Sequence, residues 1–240
     1  MIELYYWPTP NGWKVSIMLE ECGLDYELKP VHIGKGDQFK PGFLAISPNN
    51  RMPAIVDTDA PDGPISVFES GAILIYLAEK SGRFMPTGTP ERFEALQWLF
   101  WQMAGLGPMA GQLSHFLNYA QERIDYAVDR YANEYNRLLG VLDRRLADRD
   151  YMAGDYSIAD MASWPWVRSS DRFGQPLDEF PNVERWFDSI AARPAVQRGI
   201  EIGKDWWTSG VVDEESRRNL FGQTASAVAE LASKADDADD

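Results

Sequence analysis

The chain has 240 residues, of which 45% are hydrophobic and 12% aromatic, and this composition predicts a globular protein rather than a disordered one. That length suffices for one large domain or two small ones. Aspartate and glutamate number 37 against 23 lysines and arginines, which gives a net charge of −14. Because this charge repels phosphate backbones, we expect no nucleic-acid partner. The apolar runs are too short to span a membrane, so we expect no membrane partner either.

Cysteine and histidine are scarce, and their scarcity excludes several kinds of site. The single cysteine, Cys22, excludes an internal disulfide framework and a Cys-x-x-Cys redox pair. It falls on the predicted apolar face of a helix, so we expect a buried, unreactive thiol. The two histidines, His32 and His115, exclude a histidine-rich metal site, and we expect no bound metal. The amino terminus lacks the basic region of a signal peptide, which favours a cytoplasmic location.

Strands and helices are predicted to alternate in the first third of the chain. The predicted strands cover residues 2–7, 26–33, 54–57 and 65–68. A helix is predicted between the first two strands, ending at Gly23, and another over residues 69–80. A long polar loop is predicted over residues 34–50. This βαβ-ββα order is typical of a thioredoxin-like domain, which we place at residues 1–83.

The rest of the chain is predicted to be an all-helical domain over residues 90–221, so the fold class is α/β plus all-α. The helix around residues 95–103 is apolar on more than one face, which makes one face a candidate subunit interface. A long helix is predicted over residues 121–149, and Ser157 followed by Asp160 predicts a capping-box start. Residues 222–240 end in four aspartates and predict an acidic, disordered tail.

The turn at residues 8–12 is the first candidate functional feature. It joins the first predicted strand to the first helix, where an open α/β layer presents ligand-binding backbone. Thr9 and Asn11 supply short polar groups there, and the partial positive charge of the helix start favours a bound thiolate. Plain helix capping is the simpler interpretation of the spacing. Trp7 and Trp13 flank the turn and are candidates to wall a pocket, whereas the tryptophans in helical segments are expected in the core or an interface.

The loop before the third strand is the second candidate feature. Arg51, Met52 and Pro53 precede that strand, where a proline is commonly only a strand boundary. If the bond before Pro53 is cis, the Met52 N–H and C=O are left free to pair with an extended, peptide-like ligand. Gln38, earlier in the loop, could reach a carboxylate of such a ligand.

Glu69 and Ser70 form the third candidate feature, at the start of a predicted helix. The first N–H groups of a helix, together with the Ser70 hydroxyl, suit a carboxylate, and Glu69 could accept a hydrogen bond from an amine. The α-amino acid end of a ligand presents both groups. A simple acidic N-cap is the alternative interpretation.

Three sequence strings together resemble the glutathione transferase superfamily, and the resemblance extends over residues 2–207. They are residues 47–56 (SPNNRMPAIV), 68–77 (FESGAILIYL) and 157–160 (SIAD). A narrower similarity is to the Nu class, the bacterial disulfide-bond reductase type of glutathione transferase. Its supporting strings are residues 8–12 (PTPNG), 34–39 (GKGDQF), 97–102 (QWLFWQ) and 105–109 (GLGPM).

The resemblance implies a homodimer, a cis bond before Pro53 and one or two glutathiones in each site. The Met52 backbone would pair with the cysteinyl unit, Glu69 and Ser70 would hold the γ-glutamyl end, and Gln38 would contact the glycine end. Arg130 matches a position that helps to hold a second glutathione. The full set of expected site residues is Thr9 and Asn11 near the sulfur, and Gln38, Arg51, Met52, Pro53, Glu69, Ser70 and Arg130 for binding.

The expected activity is glutathione-dependent disulfide-bond reduction, with two bound glutathiones acting as the dithiol. Thr9, Asn11 and the helix start would lower the pKa of the first thiol, whose thiolate attacks a disulfide before the second glutathione resolves the mixed disulfide. Weak transferase or peroxidase activity could accompany it. One alternative is a conventional transferase that conjugates glutathione to electrophiles. Another is a non-catalytic scaffold of the same fold, although a scaffold has no need of Glu69, Ser70 or Met52.

Overall fold

The computed structural model describes residues 1–206 and 213–236, with side chains as far as residue 231. In these residues the amino-terminal layer is one mixed sheet with strand order β2-β1-β3-β4. The strands are β1 (Ile2–Tyr6), β2 (Tyr26–Pro30), β3 (Ala54–Asp57) and β4 (Ile65–Phe68). β1 pairs in parallel with β2 and antiparallel with β3, which pairs antiparallel with β4. The predicted thioredoxin-like order is confirmed.

Local sequence explains the helices of this layer, which are α1 (Pro10–Cys22), α2 (Pro41–Leu44) and α3 (Ser70–Ser81). α1 begins after Thr9, with Pro10 at its first position. It ends at Gly23, whose φ of 65° is the left-handed conformation that glycine adopts at little cost. The short helix α2 lies within the segment that was predicted to be a loop throughout. Pro41 opens it, in the first-turn position that proline tolerates.

Helices continue through the second half, as predicted. They are α4 (Thr89–Trp101), α5 (Gly107–Asn118), α6 (Asp125–Arg145), α7 (Ile158–Val167), α8 (Pro181–Ala191) and α9 (Pro194–Glu201). A π-helical turn, Gln102–Leu106, joins α4 to α5. The capping box of Ser157 and Asp160 at the start of α7 is confirmed. None of the helices in the described part of the chain is long and apolar enough to cross a bilayer.

One hydrophobic core joins the two halves. α1 packs against α3 of its own layer on one side and against α7 and α9 of the helical half on the other. Buried side chains from both halves, such as Leu19, Leu74 and Trp164, belong to the same cluster. The ends of α1 and α3 are therefore held at a fixed distance from α7, and a cleft lies between them.

The segment at residues 222–240 differs from its prediction as a disordered tail, because it contains the helix α11 (Ala225–Asp236). The helix α10 (Glu214–Phe221) precedes it, within the predicted helical domain, and residues 237–240 lie outside the described residues. The Asp213 carboxylate caps α10 by accepting a hydrogen bond from the Ser216 amide at 2.7 Å. Thr224 caps α11 in the same way at the Ala227 amide, and the alanines that follow favour a helix. The prediction of disorder relied on the four terminal aspartates. It overlooked the capping residue and the alanines that precede them in the sequence.

Candidate functional site

Two adjoining cavities occupy the cleft between the sheet layer and the helical half. The large cavity has a volume of about 510 Å³, within the range of roughly 300–1,000 Å³ that is usual for small-molecule sites. The small cavity has a volume of about 200 Å³. The predicted site residues that line one or both are Thr9, Asn11, Gln38, Arg51, Met52, Pro53, Glu69 and Ser70. The structure thus brings together residues from three separate sequence motifs.

Thr9 lies on the floor of the small cavity, and its hydroxyl group has two roles. Its Oγ1 accepts a hydrogen bond from the Gly12 amide at 3.3 Å, so the capping interpretation is correct. The same Oγ1 donates its proton toward the Met52 sulfur at 3.7 Å, and a thioether is a weak acceptor. A stronger acceptor in the small cavity, such as a thiolate, can therefore accept the hydrogen bond from the Thr9 hydroxyl, and the cap at Gly12 is kept.

The side chain of Asn11 is oriented by a tryptophan of the helical half. Trp166 of α7 donates its indole N–H to Asn11 Oδ1 at 3.2 Å. Because the oxygen is engaged, the two amide hydrogens of Asn11 remain available as donors. Asn11 and Trp166 line both cavities, so these donors lie at the junction of the two.

The tryptophan that walls the site is not one of those predicted for this role. Trp7 is buried against His32 and Trp206, with ring centroids 4.2 and 5.1 Å away. Trp13 is half-buried beneath the Arg168 guanidinium. Neither lines the two cavities, whereas Trp166, which we assigned to the core or an interface, lines both. Helical spacing alone did not indicate which face of α7 meets the cleft.

The loop before β3 has the backbone geometry that the resemblance implied. The Met52–Pro53 peptide bond is cis. Ser47 donates a hydrogen bond to the Arg51 carbonyl at 2.8 Å and so holds the loop from behind. Arg51, Met52 and Pro53 all line the large cavity. The loop therefore presents its backbone and the Arg51 guanidinium to the same space.

Glu69 and Ser70 stand at the amino end of α3, and both line the large cavity. Glu69 has a φ of 69°, a conformation that costs energy for a residue other than glycine. Its carboxylate accepts a hydrogen bond from Asn49 Nδ2 at 3.2 Å. Ser70 is buried, with 5% of its surface exposed. Glu69 therefore combines a strained backbone with a place in the lining of the large cavity.

Lys14 is a site residue that the sequence reasoning missed. Although only 1% exposed, it lines the large cavity, and its Nζ lies 3.4 Å from Ser70 Oγ and 2.8 Å from Gln102 Oε1. Burial lowers the pKa of Lys14 to about 7, and the Glu69 carboxylate partly opposes this shift. A lysine one turn into an otherwise apolar helix face was the available signal. The site therefore holds a buried amine, and a bound anion would favour its protonated, charged form.

Gln38 lines the small cavity, but its amide group faces the protein. It is 2% exposed, and its Nε2 donates to the Ile33 carbonyl at 3.1 Å and to the Asn219 carbonyl at 3.4 Å. Asn219 belongs to α10, within the part of the chain predicted to be the helical domain. Both amide hydrogens thus have backbone acceptors, and the predicted contact of Gln38 with a ligand carboxylate stays a prediction.

Arg130 and Cys22 lie away from the cavities described above. Arg130 is on an exposed face of α6, where its guanidinium lies 4.0 Å from Glu134, and its predicted role with a second glutathione stays a prediction. The Cys22 thiol lies 3.3 Å from Ser81 Oγ, and burial raises its pKa. A raised pKa keeps this thiol protonated and unreactive at neutral pH.

Comparison with known proteins identifies the family. Residues 1–79 match the amino-terminal domain of glutathione S-transferases, and residues 108–194 match the carboxy-terminal domain. The disulfide-bond oxidoreductase YfcG of Escherichia coli K12 is 52% identical over 203 residues, which cover 83% of this chain and 94% of YfcG.

Solved structures agree with this result. A glutathione transferase from Pseudomonas putida, with one glutathione disulfide bound per subunit, is 48% identical and superposes with a TM-score of 0.81 over 84% of this chain and 91% of that chain. A family member from Pseudomonas fluorescens Pf-5, with two glutathione bound, is 48% identical with a TM-score of 0.79 over 83% and 92%. As its three sequence strings predicted, the chain belongs to the glutathione S-transferase family.

Proposed function

We propose that this protein is a glutathione-dependent disulfide-bond reductase in which two bound glutathiones supply both reacting sulfurs. The observation that carries the proposal is the meeting of two cavities at Asn11, beside the Thr9 hydroxyl, with the protein's own thiol lying elsewhere. The name of the E. coli relative and the glutathione ligands of the Pseudomonas structures support it.

The large cavity suits the γ-glutamyl end of glutathione. The carboxylate of the γ-glutamyl end would accept hydrogen bonds from the Ser70 hydroxyl and from the first N–H groups of α3. The amine of the same end would donate to Glu69. Lys14 lies directly behind Ser70 and would supply a positive charge that water cannot screen. The Met52 backbone, at the junction of the two cavities, would pair with the cysteinyl unit.

The small cavity suits the sulfur. A thiolate there would accept hydrogen bonds from the Thr9 hydroxyl and the Asn11 amide, next to the positive end of α1. Each of these interactions favours the charged form and so lowers the pKa of a bound thiol. The thiolate, rather than the thiol, is the nucleophile in disulfide exchange.

The proposed reaction has two exchange steps. The first glutathione thiolate attacks a disulfide RSSR, forming a mixed disulfide GSSR and releasing RS⁻, which takes up a proton. The thiolate of the second glutathione then attacks the glutathione sulfur of GSSR, which yields glutathione disulfide and a second RSH. Two glutathiones are oxidised and one disulfide is reduced, so electrons balance without a protein thiol.

We also propose that the protein is a homodimer, as the resemblance implied. Large apolar side chains are exposed on β4 and on α4, with exposed fractions of 41% for Ile65, 57% for Phe93 and 61% for Phe100. A second copy of the chain would remove such a patch from water. In a dimer, Arg130 could approach the partner's site. Light scattering of the purified protein measures the mass in solution, and a monomer would contradict this proposal.

A paired assay tests the proposed activity. The enzyme and glutathione are given either 2-hydroxyethyl disulfide or 1-chloro-2,4-dinitrobenzene, and glutathione disulfide and conjugate are quantified. We expect efficient turnover of the disulfide and weak turnover of the aryl halide. The reverse preference would favour the conjugating transferase, and no turnover with no glutathione affinity would favour the scaffold.

A further inference from the structure

Helix α10 contributes Leu220 to the lining of the small cavity and is held at one edge by the loop around residues 34–38. Asn219, which is 6% exposed, donates from Nδ2 to the Gly34 carbonyl at 2.8 Å. Its own carbonyl accepts from Gln38 Nε2 at 3.4 Å. Just after α10, Gln223 Oε1 accepts from Asn50 Nδ2 at 3.1 Å. These hydrogen bonds join the segment to the loops on both sides of α2.

The other edge of α10 is held by the end of α5. The Phe221 ring lies 4.8 Å from the His115 ring and 5.1 Å from the Tyr119 ring, measured between centroids. Arg217 also donates a hydrogen bond to the Tyr119 carbonyl. α10 is therefore fixed to the sheet layer by polar contacts and to the helical half by aromatic contacts.

Leu220 lies between these two anchored edges. Its side chain lines the small cavity together with Thr9, Asn11 and Met52. It is half-buried and adds to the apolar surface of the small cavity, to which Ile33 and Trp166 also contribute. The space is only about 200 Å³, so a change in the size of the Leu220 side chain would alter appreciably the room left for a sulfur substituent. The family match of the helical domain ends at residue 194, well before this helix.

We propose that Leu220 is a specificity-determining residue, which limits the size of the group attached to the sulfur in the small cavity. The proposal rests on the proposed function, because it takes the sulfur of glutathione to lie beside Thr9 and Asn11. A group carried by that sulfur, whether an alkyl chain or the other half of a disulfide, must then lie against α10. Asn219 is a positioning residue, since its hydrogen bonds hold Leu220 in place.

Binding of glutathiones with graded sulfur substituents tests the proposal without requiring any turnover. Calorimetry measures the Kd of S-methylglutathione and of the bulkier S-(naphthylmethyl)glutathione for the wild type, Leu220→Ala and Leu220→Trp. Differences of this size in a pocket change discrimination by about tenfold or more. We expect the ratio of the bulky to the small ligand's Kd to fall about tenfold in Leu220→Ala and to rise in Leu220→Trp.

Two further variants separate a local effect from a general one. Glu215→Ala changes an exposed residue of the same helix and should leave the Kd ratio at the wild-type value. Asn219→Ala should lower the ratio in the same direction as Leu220→Ala, because the wall is no longer held. Thermal unfolding shows whether each variant is folded. If Leu220→Trp does not fold, Leu220→Ala alone decides the outcome.

The outcomes distinguish this proposal from the proposed function. An unchanged Kd ratio in Leu220→Ala, with both ligands bound, overturns the role of Leu220 and leaves the reductase intact. A shifted ratio in a protein that does not reduce disulfides supports the role of Leu220 and overturns the reductase. If neither ligand binds, both are overturned.

Discussion

The two walls of the small cavity differ in how they are built and in what they can do. The amino-terminal wall combines the polar side chains of Thr9 and Asn11, at the start of α1, with Met52 in the loop before β3. The carboxy-terminal wall, formed by Leu220, belongs to a helix that contacts both halves of the protein through Asn219 and Phe221. The first wall acts on the charge of a bound sulfur, and the second acts on the size of what that sulfur carries.

This difference separates the expected effects of substitutions. Changes in the amino-terminal wall should slow the reaction of every disulfide by a similar factor, because all of them share the same thiolate. Changes in the carboxy-terminal wall should alter the ranking of disulfides by size. A substitution in the amino-terminal wall that changed the selectivity for disulfide size would contradict this division of roles between the two walls.

The largest expected effect is that of Thr9→Val. Valine has nearly the shape of threonine but cannot donate a hydrogen bond to a thiolate, and the loss of one such donor typically costs about 10²-fold in kcat. We expect kcat/KM to fall by about that factor for small and bulky disulfides alike. Stopped-flow titration of the bound thiol should show a raised pKa.

Thr9→Ser is the matched control for this variant. Serine keeps both the capping oxygen and the donated proton, so most of the activity should return. Thr9→Val also loses the cap of α1, which costs about 0.5–2 kcal/mol of stability, and thermal unfolding measures that part separately. Near-wild-type activity in Thr9→Val would contradict the proposed thiolate contact.

Lys14→Met should have the next largest effect, on glutathione binding rather than on size selectivity. A hydrogen bond to a charged group contributes about 1.5–3 kcal/mol, so we expect the Kd of S-methylglutathione to rise by about tenfold or more. Lys35→Met is the control, because Lys35 is exposed in the loop and does not line the described cavities.

The same lysine predicts a pH dependence. The pKa of Lys14 in the empty site is about 7, and a carboxylate bound at Ser70 favours the ammonium and raises it. Between pH 7 and the higher pKa of the complex, binding therefore takes up a proton, and affinity falls as the pH rises across this window. Calorimetry in buffers of different ionisation enthalpy measures this uptake, and equal uptake in Lys14→Met would contradict it.

Trp166→Phe should have a smaller effect. It removes the donor that holds Asn11 Oδ1, and a neutral hydrogen bond contributes about 1 kcal/mol, or roughly fivefold in kcat. Trp164→Phe is the control, because Trp164 also donates its indole N–H, to the Phe187 carbonyl, but lies outside both cavities. Equal losses of activity in the two variants would show that the effect is structural.

The two walls also differ in how well the sequence predicts them. Thr9, Met52 and Ser70 follow from local rules for strand ends, prolines and helix starts, so their positions could be predicted together with the thioredoxin-like fold. Lys14 and Trp166 could not, because their contacts depend on how α1 packs against its neighbours.

The carboxy-terminal wall was missed for a related reason. Asn219 and Leu220 lie in the predicted helical domain, but they gain their partners only when the chain returns to the cleft. Such contacts between distant parts of the chain leave no local pattern.

The most direct test of the central claim is the source of the reacting sulfurs. Cys22→Ala, loaded with glutathione, is mixed with excess 2-hydroxyethyl disulfide in a single turnover, and the products are quantified. Because the Cys22 thiol is kept protonated by burial and lies outside the cavities, we expect the wild-type rate and one glutathione disulfide for each disulfide reduced. A large loss of rate, or a mixed disulfide between glutathione and the wild-type protein at Cys22, would contradict the account.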